Sequence, residues 1–422
     1  MSSSMVNEAV DTADLSLSTE TKPVVPDDFQ TEEVEGSFLK SMLVPLLMPH
    51  IRHSSFTNVP WFQAVCGEKQ GEPESTEPPL VTEAWHDPEV GILFRSINFV
   101  LSVLFHMGAF IGSEAFYITM FPYVFWNIDT GLGSSQAFSS LLHGRRIITM
   151  WGLSMYLGQY LKDHLQLPRP YVLNKAVRSL ESQWVAEYGF PSTHTIAVVG
   201  QACIVVYHTH RMDYEGKGDY PLLFALAVAT FVVVCTTAGR VYLGVHSIPD
   251  LIGGFVIAGV LFSVFLGLEN TFERFLLTNP ASRWAPTVMC IIFLLAYPRL
   301  KHWSPAYGDT AVILGACNGV WVTQMDFVVP GLPLDWRSMP ALTWFILSTT
   351  RLVVGFLTLA LVRLVVKTTM RTLLLRLLGK TDKKPEHRYE IDVPTKFVCY
   401  SCVGLAAVIL VPKIFELIGL HA

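Results

Sequence analysis

Three short stretches of this 422-residue chain place polar side chains where an apolar sequence has little use for them. The first is Lys162 followed by Arg169-Pro170, the pattern K-x6-R-P. The second is Pro191-Ser192-Thr193-His194. The third is Arg240, His246 and Asp250, spaced R-x5-H-x3-D. Arginine offers a planar fork for phosphate oxygens and lysine a compact charge, so Lys162, Arg169 and Arg240 gathered in a poorly solvating place call for an anion. Ser192 falls at a helix start behind Pro191, where its hydroxyl and the N–H groups of Thr193 and His194 can face a phosphate. His246 and Asp250 lie one helical turn apart on one face. Asp250 can accept the Nδ1 proton of His246 and leave Nε2 free as a nucleophile. His194, from another helix, can protonate a leaving oxygen. No carboxylate cluster stands beside the cations to hold magnesium, so no metal or other cofactor is expected, and the cations take over the metal's electrostatic task.

Each element alone has a plainer reading. Lys162 could be a lysine snorkelling at a membrane edge, Arg169 a loop charge, either histidine a structural one, and His246–Asp250 a capping pair. Their order along the chain makes the difference. Apolar runs of about 16–26 residues, suited to a bilayer about 30 Å thick, predict spans at 97–126, 146–161, 194–210, 220–238, 247–267, 285–299, 308–326, 341–366 and 397–418. The fold class is therefore an all-α polytopic membrane bundle of about eight to ten helices. The first run holds Gly108, Gly112 and Glu114 and reads as one tilted helix or two short ones; 308–326 is weakly apolar and could be re-entrant. Counting crossings puts Lys162 and Arg169 at one face. Ser192 and His194 open the next helix there, and two crossings later Arg240, His246 and Asp250 return to it.

Composition fits this organisation. Only 15% of residues are charged, against about 25% in soluble domains. Met1–Ser37 holds nine Asp/Glu and one Lys and reads as a disordered acidic tail, without the basic start and apolar core of a signal peptide. Residues 38–90 read as an interfacial segment (38–50) and a linker, 91–270 as the membrane-embedded catalytic core, and 271–422 as additional C-terminal helices. Cys399 and Cys402 form a lone C-x-x-C inside an apolar run, which reads as packing rather than zinc. A net charge of -5 without a basic face excludes nucleic acid as a partner. The basic stretch 367–396 reads as a solvated or headgroup-facing loop.

Together the three motifs resemble the signature of the phosphatidic-acid-phosphatase/haloperoxidase superfamily, and P-S-T-H, in place of the commoner P-S-G-H, resembles its sphingosine-1-phosphate phosphatase branch. So do GSEAFYITMFPYVFWNID (112–129), MYLGQYLKDHLQLPRP (155–170), EYGFPSTH (187–194) and GRVYLGVHSIPDLIGGF (239–255). The resemblance implies a metal-independent helical core in which Lys162, Arg169, Ser192, Thr193 and Arg240 bind phosphate. In it His246 forms a phosphohistidine, Asp250 orients it and His194 is the general acid. It also implies a long-chain base phosphate as substrate, membrane lipids as surroundings, and an endoplasmic reticulum membrane with the site facing the lumen. Phosphatidate, a polyprenyl diphosphate or glucose 6-phosphate as substrate, and a non-catalytic transporter or scaffold, stay open at this point. Gly239 stands where many members carry serine and removes one hydroxyl. For sidedness, Arg145, Arg146, Arg211, Lys217, Arg274 and Arg283 lie opposite the site and Lys175 and Arg178 beside it, so the site is expected outside the cytoplasm. The stretch 367–396 opposes this unless 308–326 fails to cross.

Overall fold

The computed structural model describes residues 92–127, 136–173, 179, 187–214, 222–301, 303–323, 339–379 and 388–420. The predicted tail, interfacial segment and linker lie outside the described residues. Among those described, the architecture is helical, with α1 (Ile92–Ile111), α2 (Glu114–Asn127), α3 (Gln136–Leu165), the short α4 (Pro170–Leu173) and α5 (Thr193–Tyr214). Then follow α6 (Leu222–Tyr242), α7 (Ile248–Thr278), α8 (Ala285–Ala296), α9 (Pro305–Trp321), α10 (Ala341–Leu378), α11 (Arg388–Leu405) and, after one π turn, α12 (Val411–Leu417). Every predicted span falls on one of these helices or on an adjoining pair.

Four helical segments are long and apolar enough to cross a membrane: α6, α7, α10 and Tyr389–Leu417. The first predicted span is two helices, α1 and α2, bent by 69° at Gly112–Ser113, and would make a fifth if the pair is one span. This is a multi-pass membrane protein. The central α3, α5 and α9 fall short of the same test for a physical reason. They are enclosed by other helices and carry the polar side chains of the interior, while the outer helices display Phe224, Phe231, Val256, Leu357 and Leu361 to lipid.

The crossing directions follow from bonds between helices. At one end of α9 the hydroxyl of Ser304 donates to Asp163 at 2.5 Å. At the other end Arg145 donates to the carbonyl of Thr323. Arg145 and Asp163 are 18 residues apart on α3, about 27 Å of helix. The described part of the 308–326 segment, α9, therefore runs alongside α3 over about that length. The start of α11 lies on the site's side too, since Tyr389 donates to the carbonyl of Leu300 and Lys396 pairs with Asp309 at 3.7 Å.

Two sequence expectations change here. The stretch 367–396 is not one loop, because α10 runs on to Leu378 and α11 begins at Arg388. At 38 residues α10 is about 57 Å long, well beyond a bilayer core, and Lys367, Arg371 and Arg376 ride on its last turns. Arg145 and Arg146 are not connector charges either. They lie inside α3, with Arg145 buried and paired with Glu273 at 3.4 Å and Arg146 with Glu269 at 3.9 Å. Cys399 and Cys402 are free thiols within α11.

The ends away from the site are held by Arg351 on α10. It is fully buried, donates to the carbonyls of Leu420 (2.6 Å) and Trp126 (2.7 Å), and lies over the ring of Phe415 at 5.5 Å. Both carbonyls belong to helix ends that have no intrahelical partner to offer. Arg351→Met leaves them unpaired among apolar groups, so its thermal unfolding midpoint in detergent is expected to fall, by the equivalent of roughly 3 kcal/mol. An unchanged midpoint would contradict this reading of the distal end.

Candidate active site

The site is built where α3, α5, α6 and α7 end or begin at one face. Lys162 sits in the last turn of α3, 2% exposed. The helix then stops, with Gln166 in the left-handed region (φ 54°) and its N–H on the carbonyl of Lys162. That stop turns the chain so that Arg169 points back beside Lys162. The Arg169 guanidinium donates from Nε to the carbonyl of Glu187 (3.1 Å) and from Nη1 to the carbonyl of Val245 (2.9 Å). Nη1 also reaches Nε2 of His246 at 3.3 Å.

Ser192 is the N-cap of α5. Its Oγ accepts from the N–H of Thr195 at 3.3 Å and from the hydroxyl of Thr195 at 3.0 Å. Its own N–H donates to the carbonyl of Asp250 at 3.1 Å. This bond ties the start of α5 to the start of α7 and so joins the second motif to the third. Thr193 and His194 follow, both buried.

Arg240 is in the last turn of α6 and 1% exposed. Its carbonyl accepts from the N–H groups of Val245 (3.2 Å) and His246 (3.3 Å), closing a tight connector. Gly244 at φ 70° makes the reversal possible, since a side chain there would be strained. The connector aims His246 at Arg169 and Asp250. The Nδ1 of His246 is 3.4 Å from Oδ2 of Asp250, which also accepts from the N–H of Ser247 at 2.7 Å. Guanidinium nitrogens only donate, so Nε2 is the acceptor and the His246 proton lies on Nδ1, toward Asp250.

Gly239 has a structural reason. A Cβ there would stand 2.8 Å from the carbonyl oxygen of Phe105, because α1 packs closely against α6. The serine hydroxyl of other members is excluded by that contact.

All eight predicted site residues are therefore buried and converge on one face. A cavity of about 390 Å³ opens beside them, with His194, Thr193 and Arg240 in its wall. Among the described residues no group of three or more His, Cys, Asp or Glu side chains is arranged to hold a metal ion. Residues 144–274 match the PAP2 superfamily. Sphingosine-1-phosphate phosphatase 2 of Mus musculus is 33% identical over 341 residues, covering 76% of this chain and 89% of the relative. Sphingosine-1-phosphate phosphatase 1 of Rattus norvegicus is 30% identical over 347 residues, 79% of this chain and 76% of the relative. This chain belongs to the sphingosine-1-phosphate phosphatase family. A more distant relative is dihydrosphingosine 1-phosphate phosphatase YSR3 of Saccharomyces cerevisiae, 25% identical and covering 53% of each chain. No solved structure matches the chain.

Sequence reasoning missed Glu187. It stands only five residues before Ser192, inside the segment that resembles the family, but a single acid in a connector carries no periodic or spacing signal. In the structure its Oε2 lies 3.2 Å from Nζ of Lys162 and 3.5 Å from Nη2 of Arg169. Two buried cations side by side repel and are costly without a counter-charge, and Glu187 supplies it. Asp163 was also passed over. It accepts from Tyr297 (2.9 Å) and Ser304, which locks the end of α3 to α8 and α9 and thereby fixes Lys162.

His246, in the connector between α6 and α7, is driven well below the usual histidine range, first by burial and then by Arg169, Arg240 and Lys162. Its ring is neutral at neutral pH, the state in which Nε2 keeps its lone pair. Glu187 competes with any anion for the same two cations. Glu187→Gln is therefore expected to tighten orthophosphate binding about ten-fold, the equivalent of roughly 1.4 kcal/mol of relieved competition, read from the phosphate-induced rise in melting temperature. Weaker binding in this variant would mean that Glu187 chiefly holds the cations in place.

Proposed function

We propose that this chain is a metal-independent lipid phosphomonoesterase that hydrolyses sphingosine 1-phosphate and related long-chain base phosphates to the free base and phosphate. The observation that carries the reading is the His246 ring, with Nδ1 3.4 Å from Oδ2 of Asp250 and Nε2 turned to Arg169. A neutral imidazole aimed at buried cations is arranged to attack a phosphorus atom whose oxygens those cations hold. Membership of the family supports the substrate class over phosphatidate, polyprenyl diphosphate or glucose 6-phosphate, and the complete set of cations and histidines argues against a non-catalytic transporter or scaffold.

In the proposed reaction Lys162, Arg169 and Arg240 neutralise the phosphate oxygens, with the hydroxyl of Ser192 and the N–H of Thr193 completing the cradle. Nε2 of His246 attacks phosphorus in line. The bond from phosphorus to the lipid oxygen breaks, and His194 gives that oxygen its proton. Asp250 stabilises the imidazolium as it forms. Water, losing a proton to His194, then attacks the phosphohistidine, the P–N bond breaks, and phosphate leaves with His246 neutral again. Residues 91–270 carry this chemistry, and the helices of 271–422 brace it.

The matching location is the endoplasmic reticulum membrane with the site facing the lumen. Arg211 and Arg274 near the far ends of α5 and α7, and Arg283 between α7 and α8, stand opposite the site, and charges around the early spans usually dominate orientation. Lys396 on α11 stands on the site's own side and pulls the other way. A sequon engineered between 171 and 186 is expected to be glycosylated and one between 212 and 219 not; the reverse pattern places catalysis in the cytosol.

Turnover is expected to vanish in His246→Ala and to fall by up to about 10⁴-fold in Asp250→Asn, with wild-type phosphate release persisting in excess EDTA. Phosphate release from sphingosine 1-phosphate by purified protein in detergent micelles checks all three. Activity retained by His246→Ala, or a strict magnesium requirement, overturns the mechanism.

A further inference from the structure

The cavity beside the catalytic residues is not lined by cations alone. Glu114, Glu187 and Asp309 share its wall with His194 and Arg240, and Phe110 gives part of it an apolar surface. Two of the three carboxylates already have counter-ions. Glu187 faces Lys162 and Arg169, and Asp309 faces Lys396 at 3.7 Å. Glu114 differs. Among the described residues no lysine, arginine or histidine stands within ion-pair distance of it, and its bond is to a neutral group, the Nε2 of Gln159 at 2.7 Å.

That bond is held in place from behind. Gln159 is buried on α3, and its Oε1 accepts from the hydroxyl of Thr310 at 2.5 Å. In this arrangement the amide presents its NH₂ to Glu114, while the Thr310 hydroxyl also lies 2.8 Å from the carbonyl of Ala306. Glu114 is the first residue of α2, at the 69° break from α1. A continuous helix would have turned this position along the bundle wall; the break sets it at the level of the site. A carboxylate positioned by a buried amide, lacking a counter-ion and facing a cavity, is a receptor for a cation from outside the protein.

We infer that Glu114, seconded by Asp309, receives the ammonium group of an amino-alcohol phosphate while Arg240, in the same lining, and its two companion cations hold the phosphate. This rests on the proposed function and narrows it. In a long-chain base phosphate the amine is on the carbon next to the one bearing the phosphate ester, so both charges must be met within one small cavity. A cavity whose lining holds both Arg240 and the uncompensated Glu114 fits that zwitterionic head. A glycerol-based phosphate has no cation to offer there and leaves Glu114 facing an uncharged hydroxyl or ester. Glu114 is then a specificity-determining residue that acts on the headgroup, not on the reacting phosphorus.

The test compares two substrates on each enzyme. Full-length wild type, Glu114→Gln and Glu114→Asp are assayed in micelles with sphingosine 1-phosphate and with lysophosphatidate of matched chain length. The quantity read is the ratio of the two kcat/KM values, which does not depend on how much of a variant is folded. Glu114→Gln is expected to lower the ratio in favour of lysophosphatidate by about ten-fold or more, mainly through KM for sphingosine 1-phosphate. Glu114→Asp, which keeps the charge, is expected to hold the ratio within about three-fold of wild type. A ratio unchanged in Glu114→Gln overturns the inference and leaves the phosphatase reading standing. A wild type that releases phosphate from neither lipid overturns both.

Discussion

Three buried cations converge on one point, and the rest of the structure is arranged around the cost of keeping them there. Lys162, Arg169 and Arg240 are each almost wholly removed from solvent. Desolvated like charges separate unless something holds them. Here each is carried by a different piece of chain with its own anchor. Asp163 pins the end of α3 through Tyr297 and Ser304, the carbonyls of Glu187 and Val245 grip Arg169, and the connector at Gly244 closes back on Arg240. Removing any one anchor frees a charge to drift from the common point.

This division of labour explains why the chain needs helices beyond the superfamily match. The matched residues 144–274 contain all eight predicted site residues. Yet Tyr297, Ser304 and Thr310, which fix Asp163 and Gln159, come from the residue just after α8, the residue just before α9 and α9 itself. The C-terminal helices are therefore part of the site's mechanics. Their apolar faces bury against α3, with Trp151, Tyr297, Tyr307, Cys317 and Trp321 in one cluster, so the brace is also part of the main core.

Much of this was legible in the sequence because membrane helices leave few options. Apolar runs gave the helices, and counting crossings gathered three separated motifs on one face without any distance information. The parts that were not legible share a cause. Glu187 and Asp163 act through contacts with residues far along the chain, and nothing in local spacing marks them. The bend at Gly112–Ser113 was half legible, because Gly108, Gly112 and Glu114 mark the run as one tilted helix or two short ones and hydropathy alone does not choose between them. Arg145 looked like a connector charge because helix α3 begins ten residues before the apolar run does, and its partner Glu273 lies 128 residues away. The interior position of α9 was obscured by its buried polar and small residues, which lower hydropathy because protein, not lipid, surrounds them.

The contact between Arg169 and Nε2 of His246 has a consequence for selectivity. In the proposed reaction the lone pair that attacks phosphorus is the one that a guanidinium proton faces. A phosphate can draw that guanidinium onto its own oxygens. An electrophile without negative charge has nothing to exchange for it, so the contact that orients the ring would also restrict what the ring can react with.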